Sequence, residues 1–273
     1  MEHRARKRFG QNFLHDPGVI HRILAAIDPK PGQRLVEIGP GQGALTRGLL
    51  TAAGQLDAVE LDRDLIEPLQ TRCAGLGTLR LRQADALKFD FRPLAAPGEP
   101  LRLIGNLPYN VSTPLLFHLL DQAEVIQDMH FMLQKEVVAR MAAPPGDKTY
   151  GRLSLMLQIR CQVQPLFIVG PGAFRPAPQV ESALVRLIPH PTPPYPLLDP
   201  AWFAALVAQA FSQRRKTLGR SLRGLVEEAE LRGIGIDPVA RPEQVSVAEF
   251  VALANATVAP APMDRPGHPS TPH

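Results

Sequence analysis

LVEIGPGQGALT, residues 35–46, is the segment around which the chain is built. Leu35, Val36 and Ile38, with Glu37 among them, read as a short buried strand. Gly39, Gly41 and Gly43 follow at alternate positions and permit a tight turn. Ala44, Leu45 and Leu49 then open a helical apolar pattern. Strand, glycine turn and helix in that order begin a Rossmann-like unit. The glycines let a ligand approach the backbone, and the helix N-terminus offers free N–H groups. Gly39, Gly41 and Ala44 also satisfy the dinucleotide pattern G-x-G-x-x-G/A, and Glu60 lies about 20 residues beyond. A nicotinamide dehydrogenase is therefore compatible with this segment alone.

Outward from the turn, strands and helices alternate. Upstream, Asp16 caps and Pro17 opens a helix carrying Val19, Ile20, Ile23, Leu24 and Ile27, stopped by DPKPG at 28–32. Downstream, a helix over 43–53 leads to a strand at 55–61, a helix at 62–73 and a strand at 78–84 that ends at Asp85. A proline-containing loop covers 91–100. A strand at 101–105 runs directly into Asn106-Leu-Pro-Tyr109, a helix follows from Ser112, and 128–133 forms a fifth strand. This rhythm predicts an α/β fold with a mostly parallel sheet. Polar residues then fall at strand C-terminal ends, where open α/β sheets place ligands. Residues 152–160 and 180–188 read as two further strands, an antiparallel hairpin closing the sheet edge. Residues 189–200 hold six prolines and read as a stiff linker. Beyond it, helices are expected over 200–211, over 214–231, and from Ser246, where Glu249 completes a capping box.

The expected organisation is thus a basic arm (1–15) opening a Rossmann-like domain (1–190), a linker (191–200), a small all-α domain (201–255) and a disordered Ala/Pro-rich tail (256–273). The 273 residues are 45% hydrophobic, enough for a large core. No apolar run approaches the ~18 residues of a membrane span, and no apolar stretch follows the basic N-terminus, so no secretory signal is expected. Cys73 and Cys161 are 88 positions apart with no CxxC spacing. They read as buried thiols in a reducing compartment, and no metal set is expected. Net charge is +4, with two concentrated cationic runs. Residues 214–223 carry five cations and no acid, and the first eight residues carry four against one acid. Two such clusters in a nearly balanced chain resemble a phosphate-contacting footprint, although solvated faces would look alike.

The acids narrow the ligand. Glu60, ending a strand, suits a ribose diol, unless it merely caps the next helix. Asp85 can accept from an adenine amino group, or simply end its strand. Glu37 in an apolar strand is costly to bury without a cationic ligand or nearby N–H groups. A pyrophosphate cofactor sits poorly among three acids, whereas the sulfonium of S-adenosylmethionine suits them. Asn106-Leu-Pro-Tyr109 gives the pocket a task. An adenine N6 amine is a weak nucleophile because its lone pair is delocalised into the ring. The Asn106 side-chain oxygen and the Leu107 carbonyl can accept its hydrogens, beside a proline that has no N–H. Tyr109 can stack on the base, a contact worth roughly 1–3 kcal/mol. The plainer alternative is an Asn-x-Pro turn with a core tyrosine.

In order along the chain stand RFGQNFL (8–14), EIGPGQGALT (37–46), AVELDRDL (58–65), ADAL (84–87), GNLPYNVSTPLL (105–116), FRPAPQVESALV (174–185), FSQRRKTL (211–218) and GIDPVARPEQVSVAEF (235–250). Through these segments the chain closely resembles the small-subunit ribosomal RNA adenine N6,N6-dimethyltransferases of the KsgA type, over most of residues 8–255. The resemblance implies a class I S-adenosylmethionine methyltransferase fold. By position, it implies that Asn12 and Leu14 touch the methionine part of the donor, that Gly39 and Gly41 let the turn approach it, that Glu60 holds the ribose and Asp85 the adenine. Asn106 would face both the methyl and the target amine, with Tyr109 and Phe174 sandwiching the flipped base. Arg214, Arg215 and Lys216 would meet RNA. The implied substrate is a pair of adjacent adenines in the 3′-terminal hairpin loop of small-subunit rRNA, each methylated twice on an immature subunit by a cytoplasmic enzyme, taken as a monomer by default. Large-subunit methyltransferases conferring macrolide resistance are similar. A ribosome assembly factor whose methylation is secondary remains a compatible reading, and the segments LGRSL and 256–273 depart from the family pattern.

Overall fold

A computed structural model of the chain describes residues 11–213 and 215–258. The first ten residues of the basic arm, Arg214 and the tail from 259 lie outside the described residues. The chain divides into two compact units, Met1–Pro144 with Leu153–Pro194, and Pro145–Arg152 with Tyr195–His273.

The first unit is built on a seven-stranded sheet. Its elements are β1 (Phe13–Leu14), α1 (Pro17–Ile27), β2 (Arg34–Ile38), α2 (Thr46–Ala53), β3 (Gln55–Glu60), α3 (Ile66–Cys73), β4 (Thr78–Gln83), β5 (Leu101–Asn106), α4 (Ser112–Leu120), β6 (Ile126–Gln134), α5 (Lys135–Ala142), α6 (Arg152–Gln158), β7 (Cys161–Val169), β8 (Phe174–Arg175) and β9 (Ser182–Pro189). Sheet order is β4-β3-β2-β5-β6-β9-β7; the first five strands are parallel and β9 runs antiparallel between β6 and β7. β1 and β8 pair separately. Strand alternation divides the core. Val36, Leu103, Met129 and Phe131 pack with α4, α5 and α6, while Leu35, Ile104 and Met132 pack with α1, α2 and α3. Cys73 and Cys161 are free and buried in these two layers.

The chain order reverses between β2 and β5, the topological switch point. There the two strand ends part. After Ile38, the Gly39 N–H donates to Val59 O (2.9 Å) on β3; after Asn106, the Leu107 N–H donates to Met132 O (3.2 Å) on β6. The neighbours lean away from each other, and a crevice opens between them.

Two expectations over 152–188 and 214–231 need correction. Residues 152–158 are helix α6, not a strand. The alternation of Leu153, Leu155, Leu157 and Ile159 has period two, but Leu, Met and Gln are helix formers and β-branched residues enter only at Ile159. The strand of the hairpin starts at Cys161 and accommodates Pro165 because β7 is an edge strand with a register shift between Pro165 and Phe167. β9 follows the expected 180–188 segment to within two residues.

The second unit is helical: α7 (Pro200–Ala210), α8 (Leu218–Ser221), α9 (Glu228–Gly233) and α10 (Val247–Ala256). The predicted helix over 214–231 is broken, because Gly224 takes a positive φ of 85° between α8 and α9. Asp199 caps α7 by accepting from the Ala201 and Trp202 N–H groups. Ser246 and Glu249 form the expected capping box of α10, which continues through Ala256 into the segment expected to be disordered. Phe211 stacks near both Tyr150 and Phe250, at ring-centroid distances of 6.3 and 5.9 Å. Among the described residues no helix is long and apolar enough to cross a membrane.

Below the crevice, a buried ion network ties β5, β6 and β9. Asp128, fully buried, accepts from the Arg102 guanidinium (2.9 Å) and the Arg186 guanidinium (2.8 Å). Arg102 also donates to Ile27 O and Gln33 Oε1, so the charge is satisfied on several sides. His130 beside them has its pKa lowered to about 4, chiefly by burial; the Asp128 charge opposes the shift and the two arginines add to it, so the ring stays neutral. Asp128→Ala strands a buried guanidinium and is expected to lower stability by about 3–5 kcal/mol. Glu124→Ala breaks an exposed pair with Arg92 and is expected to cost no more than about 1 kcal/mol. Urea denaturation of both variants checks the contrast, and equal losses would contradict it.

Candidate active site

The crevice is a cavity of about 280 Å³ lined by the segment 11–14, the glycine turn, Glu60, Asp85 and the turn after β5. Each wall follows from local chemistry. Gly39, Gly41 and Gly43 all have positive φ, at 65°, 58° and 87°. A Cβ on Gly41 would lie 3.1 Å from the Phe13 ring, and one on Gly43 2.6 Å from the Leu69 side chain. These glycines thus serve packing as well as backbone geometry.

Glu60, 6% exposed, ends β3 beneath the turn. Its carboxylate accepts from the Gly41 N–H (3.1 Å) and the Asp62 N–H (2.8 Å), one at each oxygen. The Leu61 N–H adds a third backbone donor, and a carboxylate offers about four acceptor positions, so acceptor capacity remains on the cavity side. Burial raises its pKa despite those N–H groups. Asp85 accepts from the Leu87 N–H (3.0 Å), which orients its carboxylate at the cavity wall. Asp62, which accepts from Gln11 Nε2, extends the acidic rim.

Glu37 is 2% exposed and meets a partner that the sequence reading missed. Its Oε2 accepts from the Thr46 hydroxyl at 2.6 Å, across the turn from the first residue of α2. Burial pushes its pKa up to about 7, with Glu60 adding to the rise and the Thr46 hydroxyl opposing it. No spacing rule pairs positions nine apart, so only the folded turn reveals this bond.

At the other wall, Asn106 Nδ2 donates to the Asn12 carbonyl (2.8 Å). With the amide nitrogen engaged, the Asn106 side chain presents its oxygen as the remaining acceptor. Leu107 is fixed through its N–H on β6, and Pro108 has no N–H to compete. Val111 N–H donates to Pro108 O and the Ser112 hydroxyl to Tyr109 O, closing the turn. Tyr109, half-buried, lines the cavity.

The cavity brings together Asn12, Leu14, Gly39, Gly41, Glu60, Asp85, Asn106 and Tyr109. Phe174 is not among its lining residues: register pairs it with Leu14, and its ring is 3% exposed in the core. A sandwich of Tyr109 and Phe174 therefore requires the Phe174 side chain to leave that packing. Arg215 and Lys216 are exposed in the second unit after α7, and Arg214 lies outside the described residues.

A Rossmann-like sheet with a reversed-order crevice, acids at two strand ends and an Asn-Leu-Pro-Tyr turn at a third defines an S-adenosylmethionine-type class I methyltransferase fold. The family model for ribosomal RNA adenine dimethylase matches residues 2–258. The ribosomal RNA small subunit methyltransferase A of Pseudomonas aeruginosa PAO1 is 59% identical over 254 residues, covering 93% of this chain and 95% of that protein. Its counterpart from Nitrosococcus oceani is 59% identical over 251 residues, with 92% and 95% covered. Among solved structures, a dimethyladenosine transferase from Plasmodium falciparum aligns with a TM-score of 0.75 at 26% identity, covering 88% of this chain and 95% of that one. The 23S rRNA methyltransferase ErmE aligns at 0.69 and 27% identity, with 90% and 99% covered. The chain belongs to the ribosomal RNA adenine dimethylase family, and the dehydrogenase reading of the glycine turn gives way.

Glu37 yields a pH test. Its folded pKa is above the unfolded value, so the folded state holds the proton more tightly between about pH 4.5 and 7. Its contribution is intact below the unfolded pKa and is lost as pH rises through 7. Glu37→Gln is expected to remove a downward component of stability on the order of 3 kcal/mol between pH 5 and 8. Denaturation midpoints of the ligand-free protein at the two pH values measure it; an unaltered difference contradicts the assignment.

Proposed function

We propose that this chain dimethylates N6 of two adjacent adenines in the 3′-terminal hairpin loop of small-subunit rRNA, using S-adenosylmethionine, on an immature subunit in the cytoplasm. That it is an rRNA adenine methyltransferase follows from the family; the rest extends that statement to substrate position and residue roles. The observation that carries it is the Asn106 amide, tied through its nitrogen to Asn12 so that its oxygen is the acceptor at the crevice.

The donor fits the residues present. Gly39 and Gly41 add no side chain of their own to the turn, Glu60 retains acceptor capacity for a ribose hydroxyl, and Asp85 can accept from the adenine amino group. Asn12 and Leu14 border the methionine end. When bound, S-adenosylmethionine supplies an electrophilic methyl group on a sulfonium, a cation favoured beside Glu37 and Glu60. The chain's own residues prepare the nucleophile. In the first transfer the Asn106 oxygen and the Leu107 carbonyl accept the two N6 hydrogens, which favours a pyramidal nitrogen whose lone pair faces the methyl; in the second, one of them accepts the single hydrogen left, and in each the proton on the newly methylated, cationic nitrogen passes to water. Tyr109 stacks on the extruded base. Positioning supplies most of the acceleration, so the site uses no strong general base. Loop adenines are poorly stacked and cheap to extrude.

Identity grades the choice of subunit: the relatives at 59% are named for the small subunit, while the 23S enzyme stands at 27%. The cationic run at 214–223 supplies phosphate contacts in this reading.

Asn106→Ala is expected to reduce methyl transfer to immature small subunits about 100-fold or more, with donor binding retained. Near-wild-type transfer ends the role given to Asn106. Replacing Arg214, Arg215 and Lys216 together by Gln is expected to make the salt dependence of subunit binding shallower by about 2 in log–log slope. An unchanged slope assigns this run to solvent.

A further inference from the structure

We propose that Ser182 is a positioning residue for base capture, holding the Tyr109 ring in place through the hydrogen bond between the two hydroxyls; the inference deepens the reading of the crevice as an adenine site and rests on it. The Tyr109 hydroxyl lies 2.7 Å from Ser182 Oγ. The two residues are 73 positions apart, so the contact is made only by the fold. Ser182 is fully buried at the start of β9. Its register partners are Gln134 on β6 and Val169 on β7, so neighbouring strands fix its backbone from both sides. Tyr109 is the opposite case. It sits in a turn outside the sheet, half-buried, at the cavity wall. The Ser112 hydroxyl anchors its carbonyl but leaves the ring free to rotate. The hydroxyl contact supplies the missing restraint, pinning the far end of the side chain to a strand paired on both sides. A stacking surface held in one orientation spares the ordering cost when a base arrives. Burial raises the Tyr109 pKa, so the phenol stays protonated and keeps a hydrogen to share with Ser182.

The test is a double-mutant cycle. Ser182→Ala and Tyr109→Phe each delete this bond, one from the buried side and one from the open side; Tyr109→Phe keeps the test decisive if Ser182→Ala folds poorly. Each is expected to lower kcat for methyl transfer to immature small subunits about 3- to 10-fold, the range for one neutral hydrogen bond. The KM for S-adenosylmethionine is expected to stay unchanged, and the double variant to be no slower than the slower single one. Multiplying defects, a wild-type rate for Tyr109→Phe or a raised donor KM would each overturn the proposal. The contact is also read without RNA: with tyrosines labelled at the ζ carbon, the Tyr109 resonance is expected to shift in Ser182→Ala. No shift overturns the proposal. A shift in an enzyme whose wild type transfers no methyl to RNA adenine would instead sink the functional reading.

Discussion

The site depends on how closely two strand ends approach before they separate. A Cβ on Gly105 would stand 2.7 Å from the Ile38 carbonyl oxygen and 2.9 Å from the Leu107 side chain. The oxygen belongs to the backbone of the adjacent strand and cannot yield as a flexible side chain does. Glycine at 105 lets β5 pass close against Ile38 just beyond the last β2–β5 pair, Glu37 with Ile104, where the glycine turn leaves one strand and Asn106 ends the other. One residue later the two chains bond outward, Gly39 to β3 and Leu107 to β6. The crevice is the space between these departures, which is why the glycine turn and the Asn-Leu-Pro-Tyr turn line one cavity although 67 positions separate Gly39 from Asn106.

Electrostatics then fixes what the crevice prefers. Glu37 and Glu60 are both buried and both raised in pKa, mainly by burial; the charge of Glu60 adds to the rise of Glu37, and that of Asp62 to the rise of Glu60. Hydrogen bonds from Thr46, Gly41 and Asp62 offset part of that cost. The remainder is a standing preference for positive charge. A positive charge beside them lowers both pKa values, because an opposite charge favours the ionised form. The sheet's lower end solves the opposite problem, with Asp128 between two arginines and His130 kept neutral. The two buried systems therefore titrate with opposite slopes: Glu37 weakens the fold as pH rises above about 4.5, whereas His130 weakens it as pH falls below about 6.5.

Much of this was legible in the sequence, for identifiable reasons. LVEIGPGQGALT combines a continuous apolar run, obligatory glycines and a helical restart, and each is a local property. The strand ends at Glu60, Asp85 and Asn106 were legible because polar residues abruptly close apolar runs. Residues 152–160 misled because leucines at alternate positions satisfy a strand pattern whatever their helix propensity, while Pro165 concealed the real edge strand. The Thr46–Glu37 and Ser182–Tyr109 bonds, the β1–β8 pairing and the burial of Phe174 depend on residues brought together only by folding, so neither periodicity nor spacing could indicate them.

The segment 11–14 shows what such long-range contacts accomplish. Gln11 donates to Asp62 beyond β3, Phe13 covers the face of Gly41, and the Asn12 carbonyl accepts from Asn106. β1 meanwhile pairs with β8. Four consecutive residues thus touch the acidic rim, the glycine turn, the Asn106 amide and the strand carrying Phe174. A shift of this segment cannot alter one half of the crevice alone. Moving Phe13 off Gly41 displaces Asn12, and with it the bond that decides which end of the Asn106 amide faces the cavity. The orientation of that amide is therefore a property of the assembled crevice, set by a backbone carbonyl 94 positions away, rather than of the Asn-Leu-Pro-Tyr turn itself.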